Sequence, residues 1–485
     1  MKPFMPLRLQ SHRGGGTLLA ALLTITTLSI AVGAFVANVR DRSHIGFQSA
    51  SWNEASVAAE SAADAAVAEL RRVMPQMGTQ TQNAWVGWTS PTGAVPAGTR
   101  IEPGTVLRLT PPALTHGGEG NTMQMAVVEI DAPPGEAPAG LVFQGRQWLR
   151  VRAKGSTRIP GPRRASPEKL DVALRRLAFV KEREGGFVAE PRAFRTIEMI
   201  LRPVMPFQAA MTAGGSVVMS NVDSLADSYD SSDAAKSTSG LYDSSKRQSN
   251  GHVRTNGSNF TFLGKIFGDI GTNGGNVSAA PTRFTGAINN NAYSALVPVP
   301  APDWSTSTAV VGTVNNSLAA GTLASPTRFK VGDLTGNLDV TSTGLGAVEI
   351  WVTGDFKGKL TVPANVTARI YVAGHLDVRS SDLVNLSRRA ENLQIYGIQP
   401  AAGVEPPSMR IRLDGQGNAS GAGTYAGIYA PGHKVELRND GDFFGSLTAL
   451  EVAAIGKARV HFDEALRSAG PIIDYRAVSW VEYIP

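Results

Sequence analysis

Residues 13–42 read RGGGTLLAALLTITTLSIAVGAFVANVRDR, and the rest of the chain is read outward from them. Thr17 to Val39 carries no charge and is rich in Leu, Ile, Ala and Val. At about 1.5 Å per residue, a helix of roughly 23 residues spans about 34 Å, enough for a bilayer core of about 30 Å. Leu18, Leu22, Ile25, Leu28, Ile30 and Phe35 supply its apolar surface. A basic leader with Lys2, Arg8 and Arg13 precedes it, followed by the cluster Gly14-Gly15-Gly16. Arg40, Asp41 and Arg42 end the apolar run. Counted by Lys and Arg, the leader side stays cytoplasmic, although Arg40 and Arg42 reduce the bias. The long C-terminal part then lies outside. A cleaved secretory signal would have a shorter apolar core and a small-x-small site, which Ala34-Phe35-Val36-Ala37-Asn38 matches poorly.

The helical pattern continues to Pro75. No Pro or Gly occurs from Ser49 to Arg72, and alanines at 50, 55, 58, 59, 62, 63, 65, 66 and 68 give high helix propensity. Trp52, Val57, Val67 and Leu70 are the expected anchors, and Arg71 and Arg72 suit the C-terminal end of the helix dipole. A single rod of about 55 residues, about 80 Å long, is unusual for a globular core. It makes sense if half sits in lipid or a helical bundle and half packs on a head domain.

The leader, the glycine cluster, the apolar run and the continuation from Ala55 to Leu70 resemble the N-terminus of type IV pilin-like proteins, PilX-like minor pilins and pseudopilins among them. The resemblance implies cleavage by a prepilin peptidase after Gly14, Gly15 or Gly16, with Thr17 as the first mature residue in the last case. It also implies the inner membrane and other pilin-like subunits as partners. Most subunits of that family carry a glutamate at the fifth mature position, where this chain has Ala21, or Ala20 if the cut follows Gly15. A carboxylate at a membrane helix centre costs about 2.5–3.5 kcal/mol unless it finds a partner. A subunit without it resembles the tip-type pseudopilin, or a membrane protein that never enters a filament.

Composition narrows the rest. Net charge is +6, three charges of which sit on Lys2, Arg8 and Arg13, leaving +3. That is too weak a field to argue for nucleic acid, and no nucleic-acid motif accompanies it. The chain has no cysteine. Disulfides, thiolate metal sites and cysteine catalysis are therefore excluded, and a large β core is expected to carry stability.

Residues 76–205 read as short strands broken by Pro and Gly. Residues 84–88, 105–109, 125–130, 147–152 and 195–202 are the examples, with one short helix at 167–180. They form a β-rich head domain. Residues 206–330 are rich in Gly, Asn, Ser and Thr and read as a lead-in. In them Asp227, Asp230 and Asp233 are candidate Ca²⁺ ligands through hard oxygens, weighed against turn capping by Asp and Ser. No other metal and no cofactor is implied.

From Val331 to about residue 470, short apolar strands recur with Gly, Asn or Asp at the corners. Tyr425-Ala426-Gly427-Ile428 parallels Phe444-Gly445-Ser446-Leu447, and Lys434-Val435-Glu436-Leu437 parallels Glu451-Val452-Ala453-Ala454. A period near 20 residues with two or three strands per unit is what a right-handed β-helix or solenoid needs. Residues 428–431, 440–445 and 458–466 resemble the domain of unknown function that closes many PilX-like proteins. Residues 471–485 read as a C-terminal strand.

Parallel β-helices also host polysaccharide-active enzymes that use paired carboxylates. The candidates here are Asp440, Asp442, His461, Asp463 and Glu464, with Asp commonplace at coil corners and His461 expected to point outward or cap the last coil. Tyr371, Tyr396, Tyr425 and Tyr429 would suit a surface glycan, against their reading as coil core. The sequence thus predicts an α+β, mostly β protein that is structural and not an enzyme. Its expected place is the bacterial inner membrane, with the C-terminal region periplasmic or extracellular. The alternative is an anchored β-solenoid adhesin or scaffold outside any filament.

Overall fold

A computed structural model describes residues 14–74, 85–90, 106–109, 114–115, 122–131, 148–158, 192–257, 259–275, 277–278, 281–304, 316–414 and 423–483. The protein is mostly β, with one long N-terminal helix, α1, over Gly14–Val73. The leader before Gly14 and the expected 167–180 helix lie outside the described residues.

The two halves of α1 meet different surroundings. Leu22, Ile25, Leu28, Ile30 and Phe35 are all exposed, whereas Ala55, Ala58, Ala59, Ala62, Ala63, Ala66, Leu70 and Val73 are buried. The buried positions recur at three- and four-residue intervals and form one stripe. That stripe lies on an antiparallel sheet ordered Val106–Leu109, Thr122–Asp131, Leu149–Arg158, Arg192–Val204, Asp474–Tyr483. Leu107, Val128, Ile130, Val151, Ile197, Met199 and Leu201 complete the head core.

The expected anchors differ from those observed. Leu70 is buried and Val67 packs against the core, but Trp52 and Val57 are exposed. Trp52 instead lies under the Arg195 guanidinium, 5.5 Å away. Close approach explains this choice. A Cβ on Gly155, in the Leu149–Arg158 strand, would fall 2.1 Å from the Ala55 carbonyl oxygen and 2.6 Å from the Ala59 nitrogen. Only small residues fit a backbone-to-backbone seat of this kind. Residues 85–88, expected as strand, form a turn because Gly87 takes φ 79°, a left-handed conformation that favours glycine. Trp85 and Trp88 are buried there, edge to face at 5.2 Å.

The rest of the chain builds three parallel ladders that it visits in turn. One ladder runs through ten strands: Thr327–Val331, Gly346–Val352, Val366–Val372, Leu393–Gly397, parts of Thr424–Arg438 and Gly441–Ala454, then Met211–Ala213, Val253–Thr255, Ile270–Thr272 and Ile288–Asn289. The other two ladders follow the same spatial order. Ser216–Met219 stacks on Val452–Ala454, and Leu225–Tyr229 stacks on Ala458–Asp463. Residues 211–289, expected as a lead-in, therefore form coils that lie on the last coil in sequence. The chain joins the stack in its middle, climbs to Asn289 and returns outside. It resumes at the far end and climbs back to where it started.

The return segment covers one row of side chains. Tyr371, Tyr396 and Tyr429 share a register position on the outer side of the ten-strand ladder, next to core-facing Ile370, Ile395 and Ile428. All three rings are buried. The Tyr429 hydroxyl accepts from the Val297 N–H at 2.8 Å and donates to the Val297 carbonyl at 2.9 Å. Val299 bridges to Ile398, and Trp304 meets Tyr371 edge-on at 5.8 Å. These tyrosines are occupied by the chain itself.

Gly155→Val drives two methyl groups into the helix backbone. It is expected to lower head stability by about 1–3 kcal/mol, in the range of overpacked cores. Thermal melts in detergent should show a head transition at lower temperature and an unchanged coil-body transition.

Candidate functional site

Two places in the fold hold the residues singled out by sequence. The first is the bare half of α1. Within Ala20–Val73 lies a stretch long and apolar enough to cross a membrane, none of it buried. Thr24 donates its hydroxyl to the Ala20 carbonyl at 2.7 Å, and Thr26 and Thr27 likewise donate back along the helix to Leu22 and Leu23. The hydroxyls are thus satisfied within the helix, as an apolar surrounding demands. Gly14, Gly15, Gly16 and Thr17 form its first turn, and the Leu18 side chain lies outside the described residues.

The second place is where the first coil in sequence lies on the last. Register lines up Tyr425, Phe444, His461 and Asp227 as one row across four coils. Tyr425 and Phe444 stack at 4.4 Å between centroids, and Phe444 and His461 at 5.0 Å. His461 Nδ1 lies 2.6 Å from Asp227 Oδ1, and Nε2 lies 3.2 Å from Asp442 Oδ1. Tyr242 donates to Asp227 Oδ2 at 2.7 Å and covers the imidazole at 4.0 Å. Arg459 pairs with Asp442. His461 alternates with core-facing Val460 and Phe462, so it faces away from the coil interior. It is nevertheless only 2% exposed, because the stretch carrying Tyr242 folds over it.

The remaining candidates are dispersed. Asp463 accepts from the Ser231 and Ala465 N–H groups, and Glu464 from the Ser228 hydroxyl and the Asn250 amide. Asp440 accepts from the Lys457 N–H at a corner. Asp227, Asp230 and Asp233 do not converge. Asp227 turns inward to His461, while Asp230 and Asp233 cap turns by accepting from the Ser232 and Ala235 N–H groups. Among the described residues, no group of three or more His, Asp or Glu is arranged to hold a metal ion. Tyr425 is buried in the row just described.

Burial opposes the charged His461 imidazolium, but the carboxylates of Asp227 and Asp442 outweigh it and hold its pKa above the usual value. Burial also opposes Asp442 ionisation, and His461 and Arg459 outweigh that, holding its pKa below the usual carboxylate value. Burial pushes Asp463 up to about 6. Burial and the neighbouring Asp227 raise the Tyr242 phenol. The arrangement can hold one proton on an imidazole between two carboxylates, closed off from solvent. Asp227 stands out in the sequence only as a candidate Ca²⁺ ligand; its contact with His461 spans 234 positions and no local pattern signals it.

A raised histidine pKa makes a contribution that is complete below the unfolded value of about 6.5 and is lost as pH rises through the folded value. The melting temperature of the coil body should therefore fall as pH rises above about 6.5 and through the folded value. Asp442, held low, adds a contribution lost only as acid takes the pH down through its folded value. In His461→Gln the fall above pH 6.5 should vanish, leaving a flat profile by scanning calorimetry.

A family model described as a domain of unknown function (DUF7305) matches residues 306–469. The match leaves out the Met211–Asn289 coils that continue the same ladders. No curated protein matches the chain. The crystal structure of the competence-associated pilin ComZ from Thermus thermophilus aligns over 90% of this chain and 98% of its own, at 10% identity and a TM-score of 0.21. A likeness that loose does not establish a shared fold.

Proposed function

We propose that this chain is a pilin-like structural subunit of the bacterial cell envelope. Its helix anchors it in the inner membrane or a filament, and its head carries a right-handed β-solenoid on the outer side. The observation that carries this reading is the division of α1. Leu22 to Phe35 are bare and apolar, while Ala55 to Val73 are seated on an antiparallel sheet. A helix of this kind has one half left over for lipid or for the helices of neighbouring subunits. The finer reading is a PilX-like minor pilin or pseudopilin, cut by a prepilin peptidase after Gly14, Gly15 or Gly16, with the solenoid as a primer of assembly or an adhesive surface.

Ala20 and Ala21 favour a second reading, in which the chain stays in the membrane as an anchored scaffold. They stand where the resemblance leads one to expect a glutamate.

Co-expression with a prepilin peptidase, followed by mass spectrometry of the membrane fraction, tests the reading. A start at Gly15, Gly16 or Thr17 is expected, and replacement of Gly14, Gly15 and Gly16 by alanine should abolish the cut. An intact Met1, or a start near Asn38, overturns it.

A further inference from the structure

Where the head sheet meets the coil body, a cavity of about 720 Å³ opens. Five arginines line it, Arg71, Arg202, Arg254, Arg467 and Arg476, against two carboxylates, Asp64 and Asp474. They come from α1, the Arg192–Val204 strand, the Val253–Thr255 strand, the Glu464–Ser468 turn and the last strand. Arg71 is engaged with Asp474 at 2.7 Å, and Arg467 reaches Glu464 at 3.5 Å. Among the described residues, no carboxylate lies within ion-pair distance of Arg254 or Arg476.

Three cross-strand pairs of the sheet set opposite charges face to face, Arg108 with Glu129, Asp131 with Arg150, and Arg152 with Glu198, whereas at one end Arg158 faces Arg192. At the cavity Arg476 sits directly opposite Arg202. Like charges in that position are destabilising. Burial, then the field of Arg467, lowers the Arg254 pKa, with Asp269 opposing and Arg202 and Arg476 adding to the fall. Burial, then Arg476, does the same to Arg202. The fold thus gathers five arginines around a cavity whose lining holds two carboxylates.

The volume is that of a small-molecule site. Its walls include Val67, Leu296, Ile473 and Trp480 beside the guanidinium groups. Guanidinium forks match the paired oxygens of phosphate and carboxylate groups. We propose that this cavity binds a small ligand carrying two or more oxyanion groups, phosphate or carboxylate, on a frame that packs against the apolar wall. The inference is independent of whether the chain enters a filament.

The full-length chain in detergent is titrated by calorimetry with pyrophosphate and, separately, with citrate, each against sodium chloride at equal ionic strength. Saturable binding by one or both is expected, with a melting temperature that rises with ligand concentration. Pyrophosphate binding identifies a phosphate-bearing ligand, and citrate binding a carboxylate-bearing one. Arg476→Met and Arg254→Met should each weaken binding about tenfold or more. Without ligand, Arg476→Met should melt higher than wild type, because the charge facing Arg202 is gone. The proposal is overturned if neither probe binds beyond the chloride control, or if both variants bind like wild type. It is equally overturned if Arg476→Met melts lower without ligand, since its charge would then already be neutralised within the chain.

Discussion

The pairing of Arg192–Val204 with Asp474–Tyr483 constrains everything between them. The two strands are antiparallel neighbours, with Asp474 opposite Val204. About 270 residues must therefore leave the sheet and come back one strand spacing away, roughly 5 Å. A stack of coils built in simple sequence order would separate its two ends by the full height of the stack. The observed order avoids this. Met211–Ala213 lies on Leu447–Ala449, so the chain begins and finishes its coils at one corner. The long return past Val297 and Trp304 is the geometric consequence.

Local chemistry follows from the same meeting point. Because the first coil in sequence lies on the last, Asp227 comes beneath His461, and the row Tyr425, Phe444, His461, Asp227 closes under Tyr242. Both members of that contact are buried, and a lone buried charge would be costly. Mutual neutralisation makes the contact tolerable, and it also fixes the register, since a slip of one residue would turn His461 into the coil interior.

Much of the architecture is legible in the sequence, and the parts that are not share a cause. The parallel between Tyr425 and Phe444, and between Lys434 and Glu451, is the hydrogen-bonded register of two adjacent coils. It is visible because those coils are consecutive and uninterrupted. The long helix is visible for the same local reason, and a mostly β protein with one N-terminal helix is what the structure has. The seat of that helix is not. Trp52 and Val57 are the bulky residues and look like anchors, but contact distance is set by Gly155, about a hundred positions away. The role of residues 211–289 is hidden too, because the strands of 211–229 lie on partners more than 200 residues downstream, and the short repeat of 17–18 residues from Val253 to Ile288 does not reveal that junction. His461 and Asp227, like Arg202 and Arg476, become neighbours only through the closure of the chain on itself.

The mid-stack junction has a mechanical consequence. Tension applied to the outermost coils does not travel along the covalent chain coil by coil, since both chain crossings to the head sit at one corner. It passes instead from strand to strand through the ladders, where the backbone hydrogen bonds of three faces share the load before it reaches α1.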